Sequence, residues 1–482
     1  MAEYNHKTVP YAHQSAALQD SWSAAYYALF MEMGTGKSKV ALDTVAMLHE
    51  AGELSAVLVV APKGVYDNWI LAEIPAHLPL RIKRSICRWT PSRSQKFNKE
   101  LKNFVQSNQL GLKIFVMNVE AFSRARGTEA AAEFLHKNPN NMVIVDESTT
   151  IKNRKSLRTR NILSLRKFSK YRRILTGSPV TKSPLDLYSQ CSFLSVAALG
   201  FKSYLAFQAR YATVQTRYIG FRTFREVTGY RRLPELSTTL EKFSNRVLKK
   251  DCLDLPPKVY VRREVMLTKE QQELYSQMKR RALARLEDGE LSTTASVLTQ
   301  IMRLQQICCG HLKMDSGDIL PLNSNRLNDL LNVAEELQGK AIIWATYTRD
   351  ILQIAQALCD RFGPGAAATY FGATPQDDRQ KIVADFQSNT GPLRFFVGQP
   401  KTGGFGITLT AANTVIYFSN SYDLEIRLQS EDRAHRIGQQ NKVTYIDLVS
   451  PGTIDDKILT ALRNKINIAG QVLGEKTLEW LQ

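Results

Sequence analysis

The chain has 482 residues, 44% of them hydrophobic, which is enough for two or three domains with their own cores. It contains no run of eighteen apolar residues and no charged-then-apolar leader, so we expect no membrane span, no signal peptide and a cytoplasmic protein. Sixty-four Lys and Arg against forty-five Asp and Glu leave a net charge of +19, which favours a polyanionic partner.

The first predicted elements are a strand, a glycine loop and a helix. Residues 24–30 form an apolar and aromatic run typical of a strand, and apolar residues over 40–48 recur at helical spacing before Gly52. Between them lies MEMGTGKS, residues 31–38. This stretch resembles a phosphate-binding loop, although Met replaces the glycine that usually stands five places before Gly36.

The loop predicts a nucleotide site. A strand, a loop and a helix in this order aim backbone N–H groups and the positive end of a helix at a phosphate chain. We expect the backbone of Gly34, Thr35 and Gly36 to wrap the phosphates of ATP. Lys37 should contact the β- and γ-phosphates, and Ser38 should hold Mg²⁺.

Gln14 lies about twenty residues before this loop. Taken alone, a single glutamine indicates only a surface position. At this place its amide, which offers both a donor and an acceptor, would suit the edge of an adenine base. We therefore expect Gln14 to be either an exposed side chain or a residue that binds the base.

Three further runs predict a parallel sheet beside the loop. Residues 55–61, 112–118 and 142–146 are continuously apolar or nearly so, as expected of strands buried on both faces. The third run ends in Asp146 and Glu147. Asp146 is suited to hold Mg²⁺ through water and Glu147 to act as the general base. The alternative is a solvated acidic pair, but the phosphate loop upstream favours catalysis.

The stretch between Glu147 and Asp186 contains eleven Lys or Arg and no acidic residue. It predicts a basic helix that runs to Arg173 and a strand ending in LTGS, residues 175–178, at the same sheet edge. The basic tract could be a solvated face. However, uncompensated charge causes self-repulsion that a phosphate backbone would relieve, so the clustering favours nucleic acid.

Together these motifs resemble the first lobe of superfamily two helicase-like ATPases, and specifically of Swi/Snf-type DNA translocases, whose loop also lacks the first glycine. The motifs that carry the resemblance are Gln14, residues 31–38, 61–63, Asp146 with Glu147, 151–153 and 175–179. The resemblance implies an α/β fold with two RecA-like parallel-sheet lobes and ATP with Mg²⁺ as cofactors. It also implies double-stranded or branched DNA as partner, a monomer and no membrane association. It leaves protein partners open.

Residues 183–330 are mostly helical in pattern, with a break at LPP, residues 255–257. In the family that this chain resembles, helical protrusions occupy this interval. We therefore expect a first lobe over residues 1–185, a helical insertion over 186–325 and a second lobe over 326–482.

The six cysteines match neither a disulfide framework nor a zinc-finger spacing. Cys308, Cys309 and His311 lie close together in sequence, which could indicate a metal site. No second Cys/His pair follows at finger spacing, so we expect reduced thiols, with Cys308 and Cys309 buried in a helix.

From residue 340 onward, strands and helices alternate again. The predicted strands cover residues 341–345, 366–371, 393–397 and 414–418, which indicates a second parallel sheet. No second phosphate loop occurs in this part of the sequence. One predicted lobe therefore binds the nucleotide, and the other has a different task.

That task is indicated by QSEDRAHRIGQ, residues 429–439, in which Arg433 and Arg436 should share one helical face. Taken alone, they would be an ordinary surface pair. The string resembles a motif specific to Swi/Snf-type proteins, which implies two arginine fingers that stabilise transition-state charge on the γ-phosphate. Residues 401–410, KTGGFGITLT, resemble the glycine-rich fifth motif, which implies a nucleotide contact at Gly404.

Two positions depart from the family pattern. Thr149 stands where the family usually has a His that links the Asp-Glu motif to the other lobe, and residues 399–401 replace a small polar run. No accessory module is recognisable, which suggests a compact bacterial or viral protein in the cytoplasm of a prokaryotic or virus-infected cell.

The resemblance implies an ATP-dependent double-stranded DNA translocase. Such an enzyme would remodel forks, junctions or protein–DNA complexes in replication, recombination or repair. A strand-separating helicase on DNA or RNA is one alternative. A nucleotide-gated DNA-binding protein that does not cycle is another, for which Thr149 leaves room. Charge and periodicity do not separate the three.

Overall fold

A computed structural model describes residues 4–473 except 64, 93, 108–110, 220–221, 288–293, 389 and 404–406. The chain divides into two compact units. The first unit comprises Met1–Val214, Val227–Asp254 and Ile468–Thr477, and the second comprises Gln215–Glu226, Leu255–Asn467 and Leu478–Gln482. None of the helices in the described part of the chain has the length and apolar character needed to cross a membrane.

The described residues before 255 contain nine strands. They are β1 (Tyr26–Met31), β2 (Ala56–Ala61), β3 (Arg84–Arg88), β4 (Leu112–Asn118), β5 (Asn141–Asp146), β6 (Tyr171–Leu175), β7 (Ala212–Ile219), β8 (Arg222–Tyr230) and β9 (Ser244–Val247). Seven of them form a sheet of order β3-β4-β2-β5-β6-β1-β9 with parallel neighbours throughout, and β7 with β8 forms a separate two-stranded sheet.

Eleven α-helical segments lie among these strands in the described sequence. They are α1 (Ala12–Ser21), α2 (Lys37–Glu50), α3 (Tyr66–Asn68), α4 (Ile74–His77), α5 (Gln95–Gln106), α6 (Ala125–Lys137), α7 (Leu157–Ser164), α8 (Leu187–Leu194), α9 (Tyr204–Tyr211), α10 (Leu233–Glu241) and α11 (Lys249–Cys252). A π-helix covers Trp69–Glu73, and 3₁₀ turns cover Val119–Ser123, Ser148–Ile151, Leu165–Phe168 and Pro184–Asp186.

The continuous apolar run of β2 follows from its place inside the sheet. Side chains of a strand alternate between its two faces. In β2, Leu58 and Val60 pack into one hydrophobic cluster, whereas Val57 and Val59 pack into the cluster on the opposite face. A strand with both faces covered needs apolar residues at every position, which is the pattern seen in the sequence.

The second unit repeats this arrangement with a six-stranded parallel sheet of order β10-β17-β16-β13-β15-β14. Its strands are β10 (Lys258–Glu264), β13 (Lys340–Trp344), β14 (Ala367–Tyr370), β15 (Phe395–Gly398), β16 (Ala412–Tyr417) and β17 (Val443–Val449), and a two-stranded sheet contains β11 (His311–Lys313) and β12 (Ile319–Pro321). The helices from Leu255 onward are α12 (Lys269–Glu287), α13 (Thr294–Cys309), α14 (Arg326–Glu336), α15 (Thr348–Phe362), α16 (Gln376–Gln387), α17 (Pro400–Gly403), α18 (Leu424–Glu431) and α19 (Ile454–Val472).

The predicted fold class, two parallel-sheet lobes of α/β type, is confirmed. Each predicted strand coincides with an observed strand to within a few residues. In β13, Ala341 and Ile343 pack into one cluster while Ile342 and Trp344 pack into another, so this strand is also buried on both faces.

Several details of the prediction were wrong. The basic helix does not reach Arg173, because α7 ends at Ser164 and Arg173 lies in β6. The interval 183–330 contains its predicted helices but also six strands. Of these, β9 is an edge strand of the seven-stranded sheet, and β10 is an edge strand of the six-stranded sheet. Residues 255–257 therefore lead into a strand rather than separate two helical stretches.

The unit boundary at residue 254 falls inside the interval that was predicted as one helical insertion. The three-region division at residues 185 and 325 stays a prediction. The cysteine prediction is confirmed, because Cys308 and Cys309 are buried at the end of α13.

Candidate functional site

The phosphate loop of the first unit connects β1 to α2. Gly34 and Gly36 have φ angles of +80° and +92°, which favour glycine because a Cβ would be strained there. Gly36 also caps α2, so Lys37 and Ser38 begin the helix. Thr35 donates to the carbonyl of Glu32 from its hydroxyl at 2.8 Å, which closes the turn. The loop therefore has the strand-to-helix geometry that the sequence predicted.

Gln14 lies directly against this loop. Its side chain is buried, and its Nε2 donates to the carbonyl of Thr35 at 3.1 Å while its Oε1 accepts from the N–H of Tyr11 at 3.1 Å. A Cβ on Gly36 would lie 2.2 Å from this Nε2, so the amide occupies the space left by the glycine. Gln14 is therefore not a surface residue but a support of the loop. Its contact with adenine stays a prediction.

Lys37 and Ser38 project from the first turn of α2. Lys37 is 9% exposed, and its Nζ lies 3.4 Å from the carbonyl oxygen of Glu32. Burial and the charge of Asp146 raise the pKa of Glu73, a residue that the sequence analysis did not identify, whereas Asn68, Ser38 and Lys37 lower it. The positive charge of Lys37 is thus held next to the positive end of a helix, an arrangement that favours an anion.

Asp146 ends β5 at the carboxyl edge of the sheet. Its Oδ2 accepts a 2.8 Å hydrogen bond from the indole Nε1 of Trp69, and its Oδ1 accepts from the N–H of Glu147 at 3.0 Å. Burial raises the pKa of Asp146, whereas the Trp69 hydrogen bond and the charge of Lys37 lower it. The predicted metal carboxylate and phosphate lysine therefore influence each other electrostatically.

Glu147 has a left-handed backbone conformation with φ of +46°. This conformation costs about 1–2 kcal/mol for a residue with a Cβ, so the surrounding contacts must hold it in place. One of these is a 3.3 Å hydrogen bond from the Thr176 hydroxyl to Oε2 of Glu147. Thr176 follows β6, and Gly177 beside it comes so close to the phosphate loop that its Cβ would lie 3.2 Å from the N of Met33.

Arg246 in β9 and Lys249 just after it contact the loop or the segments beside it, and the sequence analysis missed both. Arg246 donates to the carbonyls of Phe30 and Gly177 at 3.1 and 2.8 Å. The N–H of Lys249 donates to Oε2 of Glu32 at 2.7 Å, and its buried side chain passes Gly34. No local pattern signals these contacts, because β9 joins β1 across more than 200 residues of sequence.

Trp69 and Glu73 were missed although a signal existed. They lie just after β2, at the same carboxyl edge of the sheet as Asp146. Ligands bind at this edge in open α/β sheets, so polar residues here were candidates by position. Thr149, which departs from the family pattern, is buried in the 3₁₀ turn after Glu147.

The basic tract does not form one surface. Arg166, Arg172 and Arg173 donate to the backbone carbonyls of Ser192, Leu194 and Ser21 inside the first unit. Burial lowers the pKa of Arg173 to about 9. In contrast, Arg154, Lys155 and Arg160 are exposed. Only some of the eleven basic side chains are therefore exposed and able to contact a phosphate backbone.

In the second unit, the prediction that Arg433 and Arg436 share a helical face is wrong, because α18 ends at Glu431. The turns after the helix still bring the two together. Nη1 of Arg433 donates to the carbonyl of Ile407 at 3.0 Å, and Nη1 of Arg436 donates to the same oxygen at 3.3 Å. Gly404, the predicted nucleotide contact three residues earlier, lies outside the described residues.

A buried ion network holds the helix that leads to these arginines. Arg427 in α18 donates to Glu431 at 2.8 Å and to both carboxylate oxygens of Asp447 in β17 at 2.5 and 3.1 Å. Lys258 and the hydroxyl of Tyr260, both in β10, bond Glu431 at 3.2 and 2.8 Å. This network ties α18 to two strands, and the sequence analysis did not anticipate it.

The residues of the first unit fit a nucleoside triphosphate with Mg²⁺. Two glycines with positive φ open the loop backbone, and Lys37 begins the helix that follows them. Ser38 and Asp146 supply the hydroxyl and carboxylate oxygens that Mg²⁺ accepts beside phosphate oxygens. The charge of Lys37 lowers the pKa of Asp146, so the two groups lie close together, as a shared ligand site requires.

Comparison with protein-family models gives two matches. A model described as the SNF2-related domain matches residues 24–313, and one described as the helicase conserved C-terminal domain matches residues 323–438. These matches span both parallel-sheet units.

Individual relatives are considerably longer than this chain. The SWI/SNF chromatin-remodeling complex subunit snf22 of Schizosaccharomyces pombe is 26% identical over 463 residues, covering 92% of this chain and 26% of that protein. The "Putative ATP-dependent helicase/translocase YwqA" of Bacillus subtilis is 26% identical over 343 residues, covering 69% of this chain and 36% of that protein. The Sulfolobus solfataricus SWI2/SNF2 ATPase core in complex with dsDNA aligns with a TM-score of 0.44 and 24% identity, covering 98% of this chain and 96% of that one.

Proposed function

This chain belongs to the SNF2-related domain family of helicase superfamily two ATPases, and from that premise we propose that it is a DNA-dependent ATPase that moves along double-stranded DNA. One observation supports the proposal most strongly. The first unit places Lys37, Ser38 and the Asp146–Glu147 pair around one glycine loop at the carboxyl edge of a parallel sheet.

In the proposed reaction, Lys37 and the loop N–H groups bind the β- and γ-phosphates of ATP, while Ser38 and Asp146 hold Mg²⁺. The metal, when bound, neutralises charge that develops on the phosphate oxygens. Glu147 takes a proton from the attacking water, and the hydroxyl of Thr176 orients its carboxylate. Because Thr176 sits on a loop that touches the phosphate loop, the same residues would respond to the loss of the γ-phosphate.

Arg433 and Arg436 are proposed to stabilise negative charge on the γ-phosphate during hydrolysis. Their convergence on the carbonyl of Ile407 supports a joint role. Buried Arg433 also donates from Nε to the carbonyl of Gln429 at 2.8 Å, so it is the more rigid of the two. Arg436 is partly exposed and is the better candidate for direct contact.

Duplex or branched DNA is the proposed partner. A net charge of +19 and the exposed side chains of Arg154, Lys155 and Arg160 support a polyanion of high charge density. Remodelling of forks, junctions or protein–DNA complexes would follow from movement along the duplex. We propose that the chain acts as a monomer in the cytoplasm of a prokaryotic or virus-infected cell.

The first experiment is phosphate release with and without linear duplex DNA. The wild type should hydrolyse ATP faster with DNA, whereas Glu147→Gln should bind ATP but hydrolyse it about 10³-fold more slowly. Glu129→Gln, which changes an exposed carboxylate of α6, is the matched control and should behave as the wild type. A wild type whose hydrolysis ignores DNA would overturn the proposal, and a Glu147→Gln variant that cannot bind ATP would show a structural role for Glu147.

A second experiment separates translocation from its alternatives. A pure translocase displaces a triplex-forming strand but leaves a forked duplex paired, whereas a strand-separating helicase also unwinds the fork. A nucleotide-gated clamp would bind DNA in an ATP-dependent way and score in neither assay. Displacement of the triplex strand without fork unwinding is the expected result.

A further inference from the structure

The strand β9 brings a distant segment of the chain beside the phosphate loop. It pairs in parallel with β1, with Val247 opposite Met31, so both strands end at the same edge of the sheet. The N–H of Glu32, the first residue after β1, donates to the carbonyl of Val247 at 2.9 Å. The residues after β9 therefore run alongside the start of the loop, although 217 positions separate Glu32 from Lys249 in sequence.

Lys249 contacts the loop through both its backbone and its side chain. Its N–H donates to Oε2 of Glu32 at 2.7 Å. Its Cε lies 3.8 Å from the position that a Cβ on Gly34 would occupy, so the end of the side chain reaches the middle of the loop. The residue is 5% exposed. The ammonium group, one bond beyond Cε, is therefore held near the loop and away from bulk solvent.

Glu32 connects this lysine to the one already proposed to bind phosphate. The carbonyl oxygen of Glu32 lies 3.4 Å from Nζ of Lys37, and its carboxylate accepts the N–H of Lys249. Both lysines are buried. One ammonium group thus approaches the loop from the start of α2, and a second approaches it from the segment after β9.

A buried ammonium group at this place has a chemical cost. Taking a charged group out of water is unfavourable unless it meets opposite charge or hydrogen-bond acceptors, and an apolar side chain could fill the same space without that cost. The phosphate chain of ATP carries several negative charges, and lysine binds phosphate as a point charge. A second lysine beside a phosphate loop is therefore suited to the ligand that the loop binds.

We propose that Lys249 is a second phosphate-binding lysine, which contacts the phosphate chain of ATP from the β9 side of the loop. The inference rests on the proposed function, since it concerns the same nucleotide site. The mechanism described above assigns no role to the segment after β9. Lys249 would therefore add a further part of the chain to the nucleotide site.

The test is equilibrium binding of a non-hydrolysable ATP analogue in the presence of Mg²⁺. Lys249→Met keeps an unbranched apolar stem but removes the charge, so it should raise the Kd about tenfold, as expected when one hydrogen bond to a charged group is lost. Lys250→Met makes the same change at the next residue, which is exposed, and should match the wild type. A Lys249→Met variant with an unchanged Kd would show that only packing against Gly34 matters and would overturn the proposal.

Adenosine separates a phosphate contact from a general structural role, because it has no phosphate. Its affinity, measured by displacement of the labelled analogue, should differ by less than about twofold between the wild type and Lys249→Met. Equal weakening of adenosine and of the ATP analogue would indicate a distorted site and contradict a phosphate contact. Thermal unfolding without ligand checks that each variant folds. If Lys249→Met does not fold, Lys249→Gln carries the test, because it is also neutral but keeps a polar end.

The same measurements distinguish failure of this inference from failure of the proposed function. Wild-type protein that does not bind the ATP analogue would argue against the nucleotide site as a whole. Wild-type protein and Lys249→Met that bind it equally would leave the site intact and remove only the role of Lys249. Affinity for duplex DNA, measured without nucleotide, should be the same in both proteins. A loss confined to DNA binding would assign the charge of Lys249 to DNA and refute its role at the phosphates.

Discussion

The two units share a parallel-sheet architecture, but Asp146 in the first and Arg427 in the second, both buried, have different kinds of partner. In the first unit, the buried carboxylate of Asp146 accepts from an indole and a backbone N–H, which are neutral donors. In the second unit, buried Arg427 is matched by two carboxylates, Glu431 and Asp447. The first arrangement leaves a carboxyl group with neutral hydrogen-bond donors at a sheet edge, whereas the second pairs its charge within the core.

This difference indicates what each charge is for. A buried carboxylate with only neutral donors among its identified contacts is poised to interact with a cation, here Lys37 and the proposed Mg²⁺. A buried guanidinium bound by two carboxylates has its charge compensated, and breaking the set would leave charge stranded in the core. Asp146 is therefore held for chemistry, whereas the Arg427 network of the second unit holds its fold.

The largest expected effect comes from Lys37→Ala. This change removes the cation from the phosphate loop, so ATP turnover should fall by about 10³-fold or more, with little change in thermal unfolding. Phosphate release and a melting curve measure the two effects. A variant with near-normal turnover would refute the nucleotide assignment. A large loss of stability would show that Lys37 also stabilises the fold, as Arg427 does in the second unit.

Arg427→Met should have the opposite profile. It leaves Glu431 and Asp447 buried without their shared cation, which should lower the free energy of unfolding by about 3–5 kcal/mol. Denaturant unfolding measures this loss, and Arg436→Met in the same unit serves as a control with a smaller effect. If Arg427→Met were as stable as the wild type, the network would not be what holds α18.

The smallest of the three effects is expected for Arg436→Ala. Removing one electrostatic donor to the transition state should lower turnover about 10²-fold while ATP affinity and stability stay close to the wild type. Lys442→Ala, an exposed cation a few residues away, is the control. An unchanged turnover number would show that Arg436 is no arginine finger.

Local sequence was sufficient for the phosphate loop and the strands beside it. Glycine occurs at positions 34 and 36 because the backbone there has positive φ angles, which other residues rarely adopt. The apolar runs of β2 and β5 occur because every residue of these strands is buried on one face of the sheet or the other. Asp146 was identifiable because a carboxylate that ends such a run lies at the carboxyl edge of a parallel sheet, where ligands bind.

Edge strands were not predictable in this way. The strands β9 and β10 are short or basic, and neither has the apolar alternation or continuous run that marks a buried strand. They become strands because β1 and β17 offer unpaired backbone groups to them. The helix predicted to run to Arg173 was wrong for the same reason, since local sequence does not show contacts with distant segments. Arg172 and Arg173 donate hydrogen bonds to backbone carbonyls of other segments.

Amino-acid pattern thus established the fold class and proposed which residue types meet the phosphates. Folding in three dimensions brought Trp69 to Asp146 across 77 positions, and it joined Arg433 and Arg436 at one carbonyl without the helix that was expected. The physical reason is that periodicity reports the environment of consecutive residues, whereas hydrogen-bond partners between distant segments depend on how strands are ordered in the sheet.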